Sequence, residues 1–159
     1  MKIRSSTLGF TLMELILVVV LLSILSLFAA SRFMGSSSFS AYTLQERVIS
    51  VIRQVQVNRM QSNVASLDNN FRLQVSSSCV GSVAACELTG SAQDARSDVV
   101  IDKSAKFSVI SGAANTINFN LLGNPVSGAV NILIEDKHGR SRCQVEINSQ
   151  GYVSKGTCS

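Results

Sequence analysis

The sequence predicts an α+β chain in which a long N-terminal helix packs on an antiparallel β-sheet. Three observations predict it: an apolar block at 10–30, an amphipathic helical period that follows it to about residue 62, and an apolar period of two beyond residue 70. The 159 residues have room for one domain and an appended segment. They divide into a cationic segment at 1–9, a transmembrane or assembly helix at 10–30, its amphipathic continuation at 31–62, and a β-rich head at 63–159.

The N-terminal elements read as a membrane signal. Residues 1–9, MKIRSSTLG, carry Lys2 and Arg4 and no acid. The next 21 residues are interrupted only by Thr11, Glu14, Ser23 and Ser26. As a helix they reach about 31 Å, close to a hydrocarbon core of about 30 Å. Cations on the N-terminal side predict an N-in orientation, with the rest of the chain outside the inner membrane. A conventional secretory signal has a shorter apolar region, about 7–15 residues, and small residues before its cut, for which 28–31 is a poor match. A plain membrane anchor fits the length but gives no reason for Glu14. A carboxylate costs about 2.5–3.5 kcal/mol at the centre of a membrane helix and less near an interface, so it normally has a partner.

From Ser40 to about Ser62, Leu44, Val48, Val51 and Val55 recur at helical spacing, with Ala41 and Ile52 beside them. Gln45, Glu46, Arg47, Arg53 and Gln54 are expected off that packed face. The period then shifts to two in Phe71-Arg72-Leu73-Gln74-Val75, Ile117-Asn118-Phe119-Asn120-Leu121 and Cys143-Gln144-Val145-Glu146-Ile147, with a more apolar run at Asn131-Ile132-Leu133-Ile134-Glu135. Turn signals at Gly123-Asn124-Pro125, Lys137-His138-Gly139 and Ser149-Gln150-Gly151 separate them. The expected product is one antiparallel sheet of about six short strands ending near Tyr152-Val153, with 76–98 as a polar loop.

The four cysteines, Cys79, Cys86, Cys143 and Cys158, all lie in the polar part. In an exported head an even number reads as two disulfides, and four cysteines allow three pairings. Cys79–Cys86 and Cys143–Cys158 close the shortest local loops. Zinc is disfavoured, because neither gap is Cys-x-x-Cys and His138 is the only histidine. The formal charge of +4 falls to +2 without Lys2 and Arg4 (4 − 2), too little to imply a polyanionic partner by itself.

No catalytic arrangement is legible, neither a phosphate loop, nor a nucleophile elbow, nor paired histidines, and no cofactor is expected. His138 beside Asp136 reads as a solvated turn. Asp94, Asp98 and Asp102 recur every four residues but form no regular oxygen-ligand loop for calcium. Lys137, Arg140 and Arg142 gather cations on one expected hairpin. Alternation would put Arg140 and Arg142 on one strand face about 7 Å apart, suited to neighbouring phosphates or to defending an edge strand by charge.

Gly9-Phe10-Thr11-Leu12-Met13-Glu14-Leu15, followed by the apolar run, resembles the class III signal of the type IV pilin and pseudopilin superfamily. The resemblance implies a type IV pilin fold and cleavage of a leader peptide between Gly9 and Phe10 by a prepilin peptidase, which also N-methylates Phe10. It implies that Glu14 forms an assembly ion pair with the Phe10 amine of a neighbouring subunit. The implied partners are the other pilins of the filament and an inner-membrane assembly platform. The stretch from Phe39 to Gln56, with Phe33 and Gly151-Tyr152-Val153, is similar to minor pilins, above all those of mannose-sensitive haemagglutinin (MSHA) adhesive pili, and to minor pseudopilins of type II secretion. Some minor pilins with similar heads bind DNA, which makes a DNA or surface receptor using the basic hairpin a further reading. The chain departs from the family where Ser31 stands in place of a common proline and Ser23 in place of a common glycine; Gly35 with Ser36, Ser37 and Ser38 offers a later weak point.

Overall fold

The computed structural model describes residues 11–34, 40–64, 66–112 and 114–159, with side chains in the N-terminal helix described to Ser26. The chain divides into two units, residues 1–36 and 37–159.

The first unit holds α1 (Leu12–Met34), a helix of 23 residues that continues past Ser31 without a break. It begins where Thr11 provides a cap: the Glu14 backbone N–H donates to Thr11 Oγ1 at 3.3 Å, satisfying one of the free donors of a helix start. Ser23 and Ser26 donate their hydroxyls to Val19 O and Leu22 O, both at 2.7 Å. Each hydroxyl is thereby satisfied within the helix's own backbone. Among the described residues no helix is long and apolar enough to cross a membrane. The described side chains of α1 end at Ser26, and 12–26 extend only about 22 Å at 1.5 Å per residue. Phe10 and 27–30, which complete the expected 21-residue span, lie outside them. The weak point at 35–38 also lies outside the described residues.

The second unit is built on α2 (Ser40–Gln61), 22 residues long. Its expected stripe is buried: Ala41, Leu44, Val48, Val51, Ile52 and Val55 join one core cluster with residues of the strands. Of the polar residues expected off that face, Glu46, Arg47 and Arg53 are exposed and Gln54 is half-buried, but Gln45 departs from expectation. Gln45 is 4% exposed and donates Nε2 to Gln144 O at 2.6 Å and Gly156 O at 3.3 Å, while Arg53 Nη2 donates to Val153 O at 2.9 Å. The hydrogen bonds these side chains make to strand carbonyls offset the burial of Gln45, so the packed face is wider than its apolar stripe.

Among the described residues eight strands form two antiparallel sheets rather than one sheet of about six strands. They are β1 (Arg72–Val75), β2 (Cys79–Ser82), β3 (Val99–Ile101), β4 (Ala105–Ser111), β5 (Thr116–Asn118), β6 (Val130–Asp136), β7 (Arg142–Ile147) and β8 (Val153–Cys158). One sheet runs β3-β2-β1-β5 and the other β4-β6-β7-β8. The segment 76–98 is not a plain loop. It carries β2 and two single-turn helices, α3 (Val83–Cys86) and α4 (Ser91–Asp94). Pairing with β1 at Leu73↔Ser82 and Val75↔Val80 orders this Ser- and Gly-rich stretch. Ser82 is fully buried, and its hydroxyl accepts from the Ala85 N–H at 3.1 Å to cap α3. Strand β5 is shorter than its alternation suggested, because Asn120 Oδ1 accepts from the N–H groups of Leu122 and Asn124 at 2.9 Å and turns the chain.

Two distant turns are joined at the far end of α2. Gln56, 6% exposed, donates Nε2 to Gly123 O at 2.9 Å and Gly151 O at 2.8 Å. Gly151 has φ +83°, and a Cβ there would lie 2.4 Å from Gly123 O, so both backbone conformation and space require glycine. Arg59, 6% exposed, donates Nε to Phe119 O at 3.2 Å and Nη1 to Val64 O at 3.1 Å.

Candidate functional site

The surface of α1 is the feature that asks most for a partner. Every large apolar side chain it describes, from Leu12 at 77% to Val18 at 42%, is exposed. These side chains occur at consecutive positions, such as Leu15 to Leu22, and therefore surround the helix instead of forming one stripe. A helix that is apolar all round is normally covered, by protein or by lipid. Among its described polar side chains, Ser23 and Ser26 are satisfied internally. No hydrogen bond or ion pair reaches the Glu14 carboxylate among the described residues, although its backbone N–H takes part in the helix cap. The Gly9 and Phe10 pair, the expected cleavage and methylation site, lies outside the described residues.

In the head, both expected disulfides are formed. Cys79 bonds Cys86 with Cα atoms 6.0 Å apart, and Cys143 bonds Cys158 with Cα atoms 4.1 Å apart. The first ties β2 to α3, and the second ties β7 to β8 at their paired residues.

The basic hairpin does not present the expected pair of arginines. Arg142 opens β7, but Arg140 sits in the turn before it, so the two do not share a strand face. Arg142 Nη2 lies 2.7 Å from Glu135 Oε1, which compensates its charge. Lys137, His138 and Arg140 remain exposed in the turn. Asp136 is 2% exposed, which separates it chemically from exposed His138. At the base of the hairpin Asp136 Oδ2 and Ser141 Oγ are buried with no hydrogen-bond partner among the described residues, an arrangement that costs stability.

Asp94, Asp98 and Asp102 are not brought together as a metal site, and no group of three potential ligands occurs among the described residues. Asp102 Oδ1 accepts from the Ser104 backbone N–H at 2.7 Å and from its hydroxyl. Asp98 instead anchors a network whose centre, Arg96, the sequence did not flag. Arg96 donates Nε to Asp98 Oδ1 at 2.8 Å and Nη2 to Asp98 Oδ2 at 2.7 Å, with further bonds from Nη2 to Asn70 Oδ1 and Ser82 Oγ. Burial alone would raise the Asp98 carboxyl, but hydrogen bonds from Arg96 and Ser82 and the charge of Arg96 outweigh it and hold it below its ordinary value. The same Asp98 hydrogen bond raises Arg96. Only the Arg-x-Asp spacing hinted at this pair, and short spacings of that kind are common in surface loops.

Comparison of the chain with family models, curated proteins and solved structures gave no match in any of the three.

Proposed function

We propose that the chain is a structural, non-enzymatic minor subunit of a type IV adhesive pilus of the MSHA type. A prepilin peptidase removes 1–9 after Gly9 and methylates Phe10. The stretch 10–30 holds the subunit in the bacterial inner membrane, N-terminus inside and head in the periplasm, until the assembly platform passes it to the filament. There the helix joins those of other pilins, and the head primes or regulates assembly from the filament surface or tip.

The observation that carries this reading is the surface of α1: exposed apolar side chains at consecutive positions, self-satisfied hydroxyls and one carboxylate, Glu14, without a partner among the described residues. Such a helix is complete only when something apolar covers it and a cation meets Glu14. In a bundle of like helices the free amine of a neighbouring Phe10 supplies that cation. A misregistered subunit would leave a desolvated charge unpaired, so Glu14 sets register. The membrane span rests on the sequence block as a whole, and two disulfides suit an oxidising periplasm.

The test compares Glu14→Leu and Glu14→Asp with the unaltered chain in sheared surface filaments and in membranes. Glu14→Leu should be processed and accumulate in the membrane while its filament content falls about tenfold or more, the equivalent of about 1.4 kcal/mol. Glu14→Asp should retain part of the incorporation. Equal incorporation of Glu14→Leu would remove the ion pair, and with it the main support for the reading.

A further inference from the structure

We propose that the open edge of β3 is a docking site for an extended acidic peptide segment of a partner protein. The site lies wholly within residues 37–159 and does not depend on how α1 is used.

Strand β3 ends its sheet, with β2 on one side and, among the described residues, no strand on the other. The Ser82 N–H donates to Asp98 O and the Asp102 N–H to Ser78 O, and Val80 pairs with Val100 between them. In an antiparallel ladder, hydrogen-bonded residues alternate with residues whose backbone groups face away. Asp98, Val100 and Asp102 therefore face β2, while Val99 and Ile101 turn their N–H and C=O groups to the free edge. No other backbone hydrogen bond is formed by those groups among the described residues. Val100 is buried in the core, whereas Val99 and Ile101 are half-buried, so the edge is fixed in place yet reachable.

Two recesses border this edge. The larger, about 290 Å³, is lined by Arg47 and Ser50 of α2, by Arg96 and Ser97, and by Val99. Its charged lining is wholly cationic. The smaller, about 140 Å³, is shared by Arg47, Asp94, Arg96, Val99 and Ile101. The Arg96 charge is already balanced by Asp98 at 2.7 Å, whereas Arg47 is exposed and enters no ion pair among the described residues, including with Asp94. An added strand would satisfy the outward groups of Val99 and Ile101, and a carboxylate in the larger recess would meet the Arg47 guanidinium, which suits planar two-point recognition. From Arg47 to Gln54, whose Nε2 donates to Ser97 Oγ at 2.8 Å and bridges the cleft, α2 rises about 10 Å, room for about three extended residues.

The test uses the full chain in detergent micelles and a labelled, end-blocked peptide Thr-Val-Asp-Val-Thr, read by fluorescence anisotropy at low salt. The unaltered chain should bind it about tenfold or more tightly than the Asn analogue. Arg47→Glu, a change at an exposed position, should reverse the preference towards the Lys analogue. Val99→Pro removes an outward N–H, keeps an apolar side chain in the recess lining and takes no bond from the ladder to β2, so it should abolish binding with the circular dichroism unchanged. Should that variant fail to fold, a peptide N-methylated on alternate amides replaces it, and retained binding of that peptide would overturn the proposal. No binding of the Asp peptide at about 1 mM, or equal behaviour of Arg47→Glu and the unaltered chain, would overturn it as well.

Discussion

Two helices of nearly equal length, 23 and 22 residues, treat their side chains in opposite ways. α2 buries its stripe from Ala41 to Val55, and Gln45, Arg53, Gln56 and Arg59 bond carbonyls of strands and turns. α1 leaves every described large apolar side chain exposed and its carboxylate unpartnered among the described residues. The lesson is that satisfaction is a property of the pair formed by helix and surroundings. The strands of its own unit provide the surroundings of α2, whereas the described side chains of α1 stay exposed.

The largest expected effect that sharpens this contrast is a cavity. Ile52→Ala, at a fully buried position, should lower the unfolding free energy of the head by about 2–5 kcal/mol, whereas Leu17→Ala should leave it within about 0.5 kcal/mol. Urea denaturation of both variants in the same detergent measures the difference. Comparable losses would mean that α1 contributes to the stability of the head.

A smaller effect is expected from a polar staple. Gln56→Ala leaves Gly123 O and Gly151 O without their donor and should cost about 1–3 kcal/mol. Hydrogen exchange should quicken in both turns together, because one side chain holds both. Exchange that quickened in only one turn would break the idea of a shared clasp.

The smallest effect is a pH dependence. Asp98 is held below its ordinary value in the folded head. A carboxyl depressed on folding contributes stability that is fully present above its unfolded value, about 3.9, and lost as pH falls through the folded value. The head should therefore weaken on acidification below about pH 4, with a shallower slope in Asp98→Asn. An unchanged slope would show that Arg96 does not stabilise this carboxylate in solution.

Much of this architecture was legible in the residues. The stripe of α2, the positions of β1, β6 and β7, and both disulfides follow from apolar period and local spacing. Strands β2 and β3 were not legible, because Ser- and Gly-rich β2 and three-residue β3 owe their form to pairing with neighbours, a context that local propensity does not contain. The buried roles of Gln45, Gln56 and Arg59 were hidden for a related reason: a polar residue on a helix looks solvent-facing until the carbonyl it bonds is in place. The basic hairpin misled in the other direction. Its composition suggested a cationic face, but the Glu135 opposite Arg142 across the strand pair balances one charge, and the turn displaces Arg140 from the strand. At Glu14 the residues pose a question that the fold leaves open: a carboxylate inside an apolar run calls for a partner, and no ion pair reaches it among the described residues.

The most direct test of the central claim is the intact mass of the mature protein extracted from membranes of a host with active prepilin peptidase, with and without reduction. Loss of residues 1–9, one added methyl group on Phe10 and a gain of four hydrogens on reducing two disulfides are expected. An uncut N-terminus, or a cut near Ser31, would contradict that claim and leave a β-rich binding head on an anchor or free of one.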